Sequence, residues 1–285
     1  GKILGLAEDE MTQAIVLAAT SMGGLAGSRW TPGREYHAGL SGMHGVYAAL
    51  SASHGYTAAE NILEAKQGFF LAYGDNVDVA DVTKRLGDEW DIVTEMALKL
   101  IPGMHGMHAL VEAAITAAKS GDIQPEDVER ITVAGSPQLN DYSLLLYPKD
   151  HSTAILSLPY YMAACVVDKD FSWHHVSPEK INDPLIGSLQ EKVKLEIAPG
   201  RSVRDYPRGG TVTITTKAGK EYSHTVDWPK GSPQRGVAWS DVDAKYRALV
   251  PKSGLAPKRI EDSLQTLHDL DNVAHIAELT SLLQG

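Results

Sequence analysis

A single cysteine, Cys165, rules out an internal disulfide and any multi-cysteine metal site, and a reducing, cytoplasmic setting suits such a chain. Long apolar runs are missing too. The longest are short pieces such as residues 163–167, far from the roughly 18 residues that a membrane-spanning helix needs. Basic charge is in deficit: 26 Lys and Arg against 36 Asp and Glu give a formal net charge of −10, which argues against general affinity for nucleic acid or an anionic membrane. Small anions stay within reach if basic groups gather in one cleft. No GxGxxG follows a strand pattern, and GxxxxGK(S/T), GxSxG and HExxH do not occur, so nucleotide, P-loop, serine-hydrolase and zincin readings lose their usual support. The opening Gly1-Lys2-Ile3-Leu4-Gly5-Leu6 has neither the basic region nor the apolar core of a signal peptide, and reads as the end of a helix cut from something longer.

What is present describes a folded globular chain. At 285 residues, 43% apolar and 22% charged, it can bury one large core or two of ordinary size. Positions 7–120 follow a helical pattern, opened by Glu8, Asp9 and Glu10, which complement a helix dipole. The run 38–55 holds Gly39, Gly42, Gly45, Ala48, Ala49 and Ser51 at near-helical spacing and reads as a buried helix that a second backbone approaches closely. Further helices are expected at about 59–70 and 90–100, and from Gly106 to just before Gly121. After Pro125 the pattern changes. Residues 128–134, 192–197 and 211–216 alternate as strands, the last turning through Gly219 into a hairpin partner at 221–226. Pro159 sits early in an apolar helix, where proline is tolerated. Helix returns beyond Ser240, and the stretch from Pro199 to Gly210 is the expected mobile loop.

Four clusters could carry chemistry. Arg34-Glu35-Tyr36-His37-Ala38-Gly39 follows Pro32 and Gly33 into a helix start, where backbone N–H groups with Arg34 and His37 would attract a carboxylate; the plainer reading is a solvated arginine and a packing histidine. Lys99, His105 and His108 flank the Pro102-Gly103 break, where a lysine can hold a carboxylate and a histidine can move a proton. His105, His108 and Glu112 also have the spacing of metal ligands on one helix face. Without HExxH such residues are more often ordinary helix positions, so no metal is expected. Ser157-Leu158-Pro159-Tyr160 opens a helix with a hydroxyl that could serve a bound oxygen, although an aromatic there is usually core. His174-His175 reads best as a surface or packing pair.

In this order the segments resemble the MmgE/PrpD family over nearly the whole chain. Residues Arg34 to Gly39 resemble its Lys-x-x-His-x-Gly segment, and Gly68-Phe69-Phe70-Leu71-Ala72-Tyr73 the glycine-aromatic run that follows. Trp90-Asp91-Ile92 with Lys99 and Pro102 is similar to its tryptophan, lysine and proline block, and Ser157-Leu158-Pro159-Tyr160 to its Ser-Leu-Pro-Tyr helix start. Pro229-Lys230-Gly231-Ser232-Pro233, then Trp239 and Ala244-Lys245-Tyr246-Arg247, resembles its closing signature.

The resemblance implies an α+β protein: a mainly helical domain at 1–123, lacking its N-terminal part, a smaller α+β lid at 124–253, and closing helices of the helical domain at 254–285. It implies cofactor-free lyase chemistry on a small di- or tricarboxylate, first of all dehydration of a 2-methylcitrate-like hydroxy acid, with decarboxylation or epimerisation as alternatives. Lys99, His105 and Tyr160 would be catalytic, and Arg34, His37 and His108 would bind substrate, the group meeting at one cleft. Arginine at 34 in place of the family lysine keeps the charge but loses a proton donor. The family's earlier helical segment, with an active-site Asp, Thr and His, would have to come from a second chain or a homodimer partner, leaving Ile15, Val16 and Leu17 along an exposed apolar groove. A non-catalytic helical scaffold and a metal-dependent hydrolase are the readings from other classes.

Overall fold

The structure, a computed structural model, describes residues 1–28, 33–74, 77–135, 139–140, 142, 144–197 and 209–284. Pro32 and all but the last two residues of the expected loop from Pro199 to Gly210 lie outside the described residues. Contacts divide the chain into two units, Gly1–Trp90 and Asp91–Gly285. No helix among the described residues is long and apolar enough to cross a membrane.

In the first unit, α1 (Glu8–Thr20) packs on α2 (Gly33–Ser53). Glu10 reaches back to accept a hydrogen bond from the Ala7 amide at 2.9 Å, satisfying one donor that the helix start leaves open. Ala14, Ala49 and Ala52 form the contact, with Leu6 and Leu17 beside them. The expectation of a buried second helix holds only for its last third. Ideal Cβ atoms on Gly39, Gly42 and Gly45 would meet nothing within 4 Å, and Met43, Val46 and Tyr47 are exposed. Of the expected α1 groove, Val16 is buried and Ile15 alone is largely exposed.

The helix expected at 59–70 is a series of turns followed by a short α3 (Phe69–Tyr73), then α4 (Val79–Thr83). The cause is local: the Phe69 and Phe70 amides bond to the carbonyls of Ile62 and Leu63, seven residues back, and a Cβ on Gly68 would lie 2.2 Å from the Ile62 oxygen.

The second unit opens with the single turn α5 (Asp91–Thr94) where a helix over 90–100 was expected. The Glu95 and Met96 amides both bond to the Asp91 carbonyl and close the turn, after which the Leu98 amide donates to the carbonyl of Gly231 at 2.8 Å. A long-range backbone bond thus replaces the helical one. Helix α6 (His105–Ser120) follows, then strand β1 (Val128–Gly135), the helices α7 (His151–Ala154), α8 (Leu158–Asp168), α9 (Pro178–Ile181) and α10 (Pro184–Gln190), and strands β2 (Val193–Ile197), β3 (Gly210–Thr216) and β4 (Glu221–Val226). Helices α11 (Trp239–Leu249), α12 (Pro257–His268) and α13 (Ala277–Leu283) close the chain. The architecture is α+β, as the order of sequence patterns implies.

The sheet order is β2-β1-β3-β4. β1 and β2 run parallel, Ile131 beside Val193, which requires the crossover that α7 to α10 supply; β3 pairs antiparallel with β1 and β4. Alternation in β3 sends Val212 and Ile214 inward, while Thr211, Thr213 and Thr215 form a hydroxyl ladder with Thr225, Ser223 and Glu221 at 2.7, 2.9 and 3.3 Å. Helix α6 lies against β3 and β4, and Ala109, Ala113 and Ala117, all fully buried, keep it close. Gly210 has the same effect, since a Cβ there would meet Leu110 Cδ2 at 2.4 Å. Every residue of α8 from Leu158 to Val166 is buried, so this helix, apolar all round, is the centre of the unit. Ser157 caps it, accepting from the Tyr160 amide at 3.1 Å and donating to the Leu145 carbonyl at 2.6 Å.

Burial sets the first prediction. Ile131→Ala in β1, fully buried, lowers unfolding free energy by about 2–5 kcal/mol. Ile197→Ala, 42% exposed at the end of β2, costs under about 1 kcal/mol. Urea unfolding of both variants measures the difference, and equal costs would contradict the packing described.

Candidate functional site

The turn between α5 and α6 gathers several basic residues of the second unit. Pro102 and Gly103 interrupt the chain, and Gly103 adopts φ +92°, a conformation that favours glycine. A Cβ there would stand 2.0 Å from the Tyr161 hydroxyl, which itself donates to the Pro102 carbonyl at 3.0 Å. Lys99 folds across this turn, its Nζ donating to the Gly103 carbonyl at 2.9 Å. From α11, Lys245 Nζ donates to the Lys99 carbonyl at 2.6 Å and sits 5.8 Å from the centre of the Trp173 ring. Backbone joins the same place: Gly231 at φ +89° receives Leu98, and a Cβ on it would lie 2.2 Å from the Leu98 oxygen.

Two histidines complete the group. His105 begins α6 and His108 follows one turn on, their rings 5.0 Å apart. His108 is 3% exposed, and its Nε2 has no hydrogen-bond partner among the described residues; the indole Nε1 of Trp173 is likewise buried without an acceptor. Burial drives the His108 pKa down to about 3, with the charges of His105, Lys99 and Lys245 adding to the effect, so the imidazole is neutral near pH 7. Glu112, one turn further, is engaged elsewhere: its carboxylate accepts from the Lys230 amide and pairs with Arg235, both at 2.6 Å. No group of three His, Cys, Asp or Glu among the described residues is placed to hold a metal.

Lys99, His105 and His108 therefore share one turn. Tyr160 does not reach it. Its side chain is fully buried and its hydroxyl donates to the His175 carbonyl at 2.5 Å, while the neighbouring Tyr161 supports the turn. Arg34 and His37 belong to the first unit. Arg34 pairs with its neighbour Glu35 at 2.5 Å, and His37 packs beside Gly24, whose ideal Cβ would lie 3.2 Å from the ring. His174 is exposed and His175 buried against Asp168 at 3.0 Å, the packing pair that the sequence favoured. Lys245 and Trp173 also meet at this turn and were not singled out from the sequence as site candidates. No spacing signals them, because Lys245 meets Lys99 across 146 positions of chain.

The fold and this turn define an α+β protein with a cluster of basic side chains at one corner of an acidic chain. Residues 102–269 match the MmgE/PrpD C-terminal domain and residues 1–80 the MmgE/PrpD N-terminal domain, one match within each unit. The chain belongs to the MmgE/PrpD family. It is 25% identical over 292 residues to a cis-aconitate decarboxylase of Mus musculus, covering 100% of this chain and 59% of that protein. It is also 23% identical over 301 residues to the cis-aconitate decarboxylase-like protein oryM of Aspergillus oryzae, covering 100% of this chain and 62% of that protein. A cis-aconitate decarboxylase of Aspergillus terreus is 25% identical over 312 residues, covering 98% and 61%. The chain thus spans about three fifths of the length of these relatives.

His108 gives the second prediction. Unfolded, a histidine takes up a proton near pH 6.5, whereas folded His108 resists until about pH 3. As pH falls from 7 to 4 the unfolded state gains a proton that the folded state does not, so stability drops. Wild type should lose about 1–3 kcal/mol more than His108→Gln over this interval. Denaturant titrations at pH 7, 5.5 and 4 read it, and parallel losses in the two proteins would show that His108 titrates normally.

Proposed function

We propose that the protein is a lyase acting on a small di- or tricarboxylate, with decarboxylation of a cis-aconitate-like acid as its reaction. One observation carries this: Lys99 and Lys245 converge with His105 and His108 on a single turn, while the carboxylate of Glu112, one turn past His108, is held by Arg235 and Lys230. Preorganised ammonium groups stabilise negative charge that develops in a transition state. In decarboxylation the C–C bond breaks, carbon dioxide leaves, and the electron pair stays on carbon until a proton arrives. In this reading Lys99 holds a carboxylate and His105 moves the proton. His108, neutral and hard to protonate, offers a hydrogen bond.

Dehydration of a 2-methylcitrate-like hydroxy acid, the first expectation from sequence, is the second reading. It requires a base to remove a proton beside a carboxylate, a role for which His105 is again the candidate. The names of the three relatives favour decarboxylation. The proposal includes association, as a homodimer or with a second polypeptide that supplies further helices, which sedimentation equilibrium reads directly.

The test is a panel assay of the purified protein: carbon dioxide release from cis-aconitate and water loss from 2-methylcitrate. Carbon dioxide release should fall by about 100-fold or more in Lys99→Met. Turnover of 2-methylcitrate alone would move the assignment to dehydration. Neither turnover nor binding of either acid would overturn the lyase reading in favour of a scaffold.

A further inference from the structure

We propose that the cavity bounded by α10, the end of α9 and the segment 147–149 is a second binding site, for a neutral, planar molecule bearing a carbonyl oxygen, and that Gln190 recognises that oxygen. The cavity shares no residue with the Lys99 turn, and the inference does not depend on the lyase reading.

The cavity has a volume of about 560 Å³, within the range that small-molecule sites occupy. Gln190, the last residue of α10, lines it and yet is only 1% exposed. Its side-chain oxygen accepts from the Tyr147 amide at 2.7 Å, and because a backbone N–H can only donate, this bond settles which end of the side-chain amide is oxygen. The NH2 end carries two donors. It has no hydrogen-bond partner among the described residues, and unlike the Trp173 indole it is not sealed from solvent. A donor so deep in the fold that opens on empty volume calls for an acceptor.

Tyr147 is held beside this cavity at a conformational cost. Its φ of +52° lies in the left-handed region, which is uncommon for a bulky residue other than glycine. Two tethers keep it there, the amide bond to Gln190 and a hydroxyl that donates to Glu191 at 2.6 Å. The ring is therefore fixed as a wall. Pro148, Ile181 and Pro184 add apolar surface suited to a flat ligand, and Gly187 leaves room, since a Cβ on it would meet nothing within 4 Å. Charge argues against a polycarboxylate here. The lining holds one cation, Lys149, and one anion, Asp183, whose carboxylate accepts from the Leu185 amide at 2.9 Å and faces Lys180 at 3.6 Å.

The measurement is NMR titration of the full chain at pH 8 with benzamide, a neutral ring with a carbonyl, and with benzylammonium, a similar ring without an acceptor. Wild type should bind benzamide saturably and about 10-fold or more tightly than benzylammonium. Gln190→Glu keeps an oxygen for the Tyr147 amide and turns the free donor into an acceptor, whereas Gln190→Met removes the donor and adds no charge. Each should weaken benzamide binding by about 10-fold or more. Should either variant unfold, Gly187→Leu answers the same question, because leucine is favoured over glycine in a helix and its side chain would enter the open volume. Benzamide binding should then disappear. Binding that survives Gly187→Leu, that is unchanged in both Gln190 variants, or that wild type does not show would overturn the proposal. So would tighter binding of benzylammonium, which would hand recognition to Asp183.

Discussion

The amide of Leu98 reaches the carbonyl of Gly231, and the meeting of Lys99 with Lys245 at the candidate site follows from that bond. It ends the helical tendency of residues 90–100 and swings Lys99 toward the Pro102-Gly103 turn. It also brings the loop before α11 close enough for Lys245 to take the Lys99 carbonyl. Glycine at 231 is a steric condition for the junction, because a methyl group there would lie 2.2 Å from the Leu98 oxygen. Two positive-φ glycines, Gly103 and Gly231, thus flank one lysine from different parts of the chain.

The site stands on a core that leaves it little freedom. Tyr161 projects from α8, stacks near Phe171 with ring centres 4.2 Å apart, and ends at the Pro102 carbonyl. Through that hydroxyl the most buried helix of the unit fixes the turn that carries Lys99 and precedes His105. Tyr160, one position earlier on a helix and so turned by roughly 100°, serves the His175 carbonyl instead.

Much of this was legible in the sequence, for reasons that differ by element. The strands of the sheet announce themselves by alternation, as in Val212 and Ile214 against Thr211 and Thr213, and α8 by an unbroken apolar run behind a proline. Those patterns are local and survive tertiary packing. The helices expected at 59–70 and 90–100 failed because non-local or longer-reaching backbone bonds captured their amides, which no periodicity encodes. Small residues in α2 were read as a buried seam; spacing describes the stripe, and exposure depends on what lies against it. At the site, Lys99, His105 and His108 lie close in sequence and were found together. Lys245 and Trp173 were not, since their meeting with Lys99 is a property of the fold alone.

The mixed sheet also has a consequence in time. β3 and β4 are joined by a tight turn at Gly219, so their pairing and the threonine ladder along it need only a short loop to close. The parallel β1–β2 pair must wait for four intervening helices to be laid down, including the apolar α8. Contact order therefore favours the β3–β4 hairpin first; β1 meets β2 across 62 positions, as Ile131 to Val193, and β3 across 83, as Ile131 to Ile214. On the ribosome β1 is made first, and its partners arrive later, β2 before the β3–β4 hairpin.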